Sequence, residues 1–91
     1  MNAPGDFEKW VKAYEAAKER HASAENREFV ARCRLSGFAR IIEQAGKLDA
    51  EHLAHLTALL RELDTASNDV NAALAEMLAA VQKQKGVLDG A

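Results

Sequence analysis

The sequence predicts an all-α fold: an antiparallel hairpin of two long helices that associates further into a four-helix bundle. Three observations predict it. Nineteen of the 91 residues are Ala and ten are Leu, against five Gly, one Pro and only 5% aromatics, a composition that favours helix over sheet. Apolar residues recur at alternating spacings of three and four along both halves of the chain. The strongest internal stop signal, Gly46, lies near the middle. At this length a single small domain is expected, without the second lobe that many enzyme classes need.

The first helix is expected over residues 6–45. Asp6 precedes Phe7, where its carboxylate can accept from the free amides of a first turn, and Glu8 adds charge at the positive end of the dipole. Phe7, Trp10, Tyr14, Ala17, His21, Ala24, Glu28, Ala31, Leu35, Phe38, Ile42 and Ala45 then keep a heptad rhythm. His21 and Glu28 weaken that stripe, and Ser23 can cap a new helix at Ala24. A break near residues 21–24 is therefore the alternative to one continuous rod.

A turn follows at 46–48, with Gly46 closing the first helix in the left-handed conformation and Asp49 capping the next. The second helix is expected over 49–85, because Leu53, Leu56, Leu60, Leu63, Ser67, Val70, Leu74, Met77, Val81, Gln84 and Leu88 hold one phase across the polar stretch 65–69. Lys83 and Lys85 suit its carbonyl end, and residues 86–91 are expected to fray.

So short a turn returns the second helix antiparallel to the first. Pairing Ile42 with Leu56, Phe38 with Leu60, Leu35 with Leu63, Ala17 with Val81 and Trp10 with Leu88 keeps one constant register centred on the turn. In it Arg32 meets Asp64. Arg20, Arg27 and Arg34, seven apart, stand opposite Ala80, Ala73 and Ala66 and can reach past them to an acidic row, Glu76, Asp69 and Glu62. The remaining row of the second helix, Leu59, Ala66, Ala73, Ala80 and Val87, is left without a cover. We assign it to self-association, most simply into a homodimer, with a larger partner as the alternative cover, since a lone hairpin buries too little apolar surface to offset chain entropy comfortably.

Few residues suggest chemistry. Glu51, His52 and His55 combine a carboxylate with two imidazoles, but no second Glu-x-x-His completes a bundle metal site, so neither metal nor cofactor is expected. Cys33 has Arg32 and Arg34 beside it yet no acid or His to activate it. No phosphate-binding loop or nucleophile elbow is present, and no enzymatic activity is expected. Phe29, Val30, Cys33 and Gly37 form an apolar patch off the stripe, with Arg27, Arg34 and Arg40 as a basic rim, suited to a helix of another protein.

Net charge is −2, which disfavours anionic membranes and phosphate backbones. The expectation is a non-enzymatic, cytoplasmic protein-interaction module of adaptor, chaperone or inhibitor type. The alternative is a nucleic-acid-binding helical protein using Arg20, Arg27, Arg34 and Arg40.

Overall fold

The computed structural model describes the backbone of residues 4–89 and the side chains of residues 6–86. Two helices, α1 (Pro4–Ala45) and α2 (Ala50–Asp89), pack against each other as a hairpin. The molecule is a rod of 66 × 18 × 15 Å.

Each boundary has a local cause. The single proline stands at the first position of α1, where its missing N–H and fixed φ cost nothing, and this moves the start two residues ahead of the expected one at Asp6. Asp6 lies in the first turn. No break interrupts residues 21–24, so the continuous rod is the correct alternative. Ser23 is an exposed residue inside the helix rather than a cap.

Gly46 takes φ +67° and its amide donates to the carbonyls of Ile42 and Glu43. The left-handed glycine thus ends α1 as the sequence predicts. Asp49 caps α2: its Oδ1 accepts from the His52 amide at 2.8 Å. The helix then runs to Asp89, four residues beyond the expected end and through the stretch expected to fray. The side chains of Val87 and Leu88 lie outside the described residues.

The seam departs from expectation on one side. On α1 ten of the twelve expected positions are inward, with Ala17, Ala24 and Ala31 buried and Trp10, Tyr14, His21, Glu28, Leu35, Phe38 and Ile42 half-buried, while Phe7 and Ala45 at the two ends of the stripe are exposed. On α2 half the stripe holds, since Leu56, Leu63, Val70, Met77 and Gln84 are half-buried. The other half does not. Leu53, Leu60, Leu74 and Val81 are 46–50% exposed, and their place is taken by Leu59, Ala66 and Ala73, buried to 2–5%, with Ala80 half-buried.

The described members of the row assigned to self-association, Leu59, Ala66, Ala73 and Ala80, therefore face inward in the hairpin's own seam. The pairings of Phe38 with Leu60 and of Ala17 with Val81 are replaced accordingly.

Two interactions need this rotation of α2. The acidic row lies directly beyond the alanine row on the helix surface, so turning the alanines inward brings Glu62, Asp69 and Glu76 within reach of the arginines of α1. With Leu53, Leu60, Leu74 and Val81 inward, the acids would face away. The same rotation presents the Ala80 carbonyl to Trp10, whose Nε1 donates to it at 2.9 Å. Small residues on both helices also let the backbones approach closely, so methyl groups fill most of the buried centre of the seam, with longer half-buried side chains along one flank.

Candidate interaction surfaces

One side of the hairpin is closed by a ladder of ion pairs. Arg34 Nη1 donates to Glu62 Oε2 at 2.7 Å, Arg27 Nη1 to Asp69 Oδ2 at 2.9 Å, and Arg20 pairs with Glu76. These are the three cross-helix partners expected from the seven-residue spacing. All six side chains are about half exposed. Such pairs contribute ~0–1 kcal/mol each and act mainly on register.

Arg32 behaves differently from expectation. It turns back to Glu28 on its own helix at 3.4 Å, not across to Asp64. Glu28 explains why: its other oxygen accepts from Ser67 Oγ at 2.7 Å, so the half-buried carboxylate at a core position draws a donor from each helix. His21, the other polar core residue, meets Glu25 with Nδ1 at 2.9 Å from Oε1. The two weak points of the α1 stripe are thus partnered in place.

The patch singled out on α1 is exposed. Phe29 is 65% and Val30 46% exposed, and Cys33 is a free, exposed thiol. Gly37 has open space where a Cβ would stand. Val30 borders a groove of about 340 Å³ with Arg27, Arg34, Glu62 and Ala66; Cys33 and Gly37 border another of about 320 Å³ with Arg32 and Arg40. The rim is less basic than its composition suggests, because Arg27 and Arg34 are bonded to carboxylates. Arg40 keeps its charge free of an ion pair among the described residues.

At the turn, Phe38 lies between the two imidazoles, tilted against His55 with ring centroids 4.2 Å apart and edge-on to His52 at 5.9 Å. His52 Nδ1 stands 3.5 Å from Asp49 Oδ1 without a hydrogen bond. Glu51, His52 and His55 are not gathered as ligands, and among the described residues no group of three His, Cys, Asp or Glu side chains is placed to hold a metal. At the open end Phe7, Trp10 and Tyr14 stack in series, with centroids 6.1 and 5.5 Å apart.

A second apolar surface was not foreseen. Leu53, Leu60, Leu74 and Val81 form a straight exposed stripe on α2, on the side of the hairpin away from the ion pairs, with Leu78, 55% exposed, beside it. The sequence signal was present as the third apolar row of α2; what the spacing did not decide was which two of the three rows face α1. No described helix is long and apolar enough to cross a membrane. Compared with known protein families, with curated proteins and with solved structures, this chain matches none.

Proposed function

We propose that this chain is a non-enzymatic interaction module of the adaptor, chaperone or inhibitor type, working in the cytoplasm as a homodimer and masking the surface of a partner protein. One observation carries the reading: the core holds five alanines and one leucine, while ten bulky apolar side chains among the described residues are 46–65% exposed. A chain that buried its leucines would have little left to offer. This one keeps Phe29 and Val30 exposed on the outer face of α1, with Arg40 at the edge. Such a face suits an amphipathic partner helix with acidic flanks.

The test compares the chain with a Phe29→Glu/Val30→Glu variant as bait. Both residues are exposed, so the variant should keep its helicity. Proteins captured by the parent and lost by the folded variant are the expected result. Identical capture by both contradicts this role for the patch. The nucleic-acid reading draws no support from the arginines, three of which already have carboxylate partners.

A further inference from the structure

We propose that two copies of this chain pair antiparallel through the exposed stripe of α2, with Ser67 on the two-fold axis. The inference rests on the homodimer reading above and deepens it by naming the face and the register, a face distinct from the partner-binding patch of α1.

The stripe is self-complementary in sequence. Leu60 and Leu74 each stand seven residues from Ser67, and Leu53 and Val81 each fourteen. A two-fold through Ser67 sets Leu60 against Leu74 and Leu53 against Val81 in both halves of the interface. A C2 contact requires one patch to match itself in this way. An axis shifted by half a heptad would oppose Ser67 to a leucine and leave one end unmatched. The stripe spans about 42 Å of the rod at 1.5 Å per residue.

Charge agrees with the same axis. The Ser67–Glu28 hydrogen bond fixes residue 28 of α1 at the level of residue 67 of α2. Lys18, Glu25 and Arg32 run along α1 on the stripe's side of the seam, one row beyond His21 and Glu28. Glu25 and Arg32 lie almost equally far on either side of the axis, so each copy brings its Glu25 to the level of the other's Arg32. Both are well exposed, 59% and 64% by side chain; each also meets its own helix, Glu25 at His21 and Arg32 at Glu28, so the other copy supplies a second partner to each.

The surface area calls for a cover. The accessible surface is 6844 Å², against roughly 5,200 Å² for a compact monomer of this mass. The excess of roughly 1,600 Å² on each chain is about twice the roughly 800 Å² that each partner buries in a standard specific interface. A second copy laid along the stripe lies alongside the first with the ends of the two rods nearly level, since Ser67 is close to the middle of α2.

Cysteine pairing in a Cys33→Ser background reads the register. Ser67→Cys should form a disulfide-linked dimer rapidly under mild oxidation. Leu60→Cys alone and Leu74→Cys alone should not, since each residue lies about 21 Å along the axis from its own copy; mixing the two should link them. Light scattering should give twice the 9.9 kDa chain mass, and Leu60→Glu/Leu74→Glu should halve it while helicity by circular dichroism is kept. A parent that stays at 9.9 kDa at all concentrations overturns the proposal. So does self-linking of Leu60→Cys, which marks a parallel pair, or a dimer that survives the glutamate variant. Phe29→Glu/Val30→Glu should leave the dimer intact, so loss of capture and loss of pairing are separate results.

Discussion

Gly46 and Gly37 show how one residue type carries opposite demands. Gly46 sits at φ +67° with open space around its missing Cβ, so an alanine there meets no atom and is penalised only through the backbone. Gly46→Ala should lower stability to chemical denaturation by about 1 kcal/mol. Gly37 lies inside α1 with the same open space. Gly37→Ala should therefore raise stability, by up to about 1 kcal/mol, because it removes only the entropic penalty of glycine in a helix. Equal effects of one sign from both changes would contradict the left-handed turn. Trp10 offers a third check: Trp10→Phe keeps an aromatic ring in the stack but removes the bond to the Ala80 carbonyl, at a cost of about 1 kcal/mol.

At the scale of the elements, the helices, their turn and the arginine ladder were legible in the sequence, and the facing of α2 was not. Heptad spacing fixes which residues share a row. It does not decide between adjacent apolar rows, and α2 has three. Leucine side chains favoured the row of Leu53, Leu60, Leu74 and Val81, whereas the reach of Arg20, Arg27 and Arg34 to the acidic row required the alanines. The two readings are about 50° of rotation apart and exclude each other, and the sequence supported both.

The continuity of α1 was ambiguous for a related reason. Ser23 resembles a cap, but His21 and Glu28 find partners without any break, so nothing local opposes the helix.

The alanine seam makes its own prediction. Ala24 is 1% exposed, and Ala24→Leu should cost about 1–3 kcal/mol by overpacking. Leu60→Ala, on the stripe, should leave the isolated hairpin nearly unchanged. Replacing Arg27 and Asp69 by Ala, singly and together, should give a coupling below about 1 kcal/mol that falls with added salt, as for other half-exposed pairs.

The whole molecule is a thin rod with little interior. Its radius of gyration is 20.1 Å, against about 12 Å for a compact chain of this length. Side-by-side pairing through the stripe predicts that small-angle scattering will show mass doubling with concentration while the longest dimension stays near 66 Å. A longest dimension that doubles would mean end-to-end association instead.

Each chain folds back once, at Gly46, onto itself. Single-molecule energy transfer between dyes on Glu8 and Lys85, at dilutions where chains are separate, tests it most directly. High transfer is predicted, because both positions lie at the open end within a rod 18 Å wide. Transfer near zero, as expected for a single extended helix that separates these residues by about 115 Å, would contradict it.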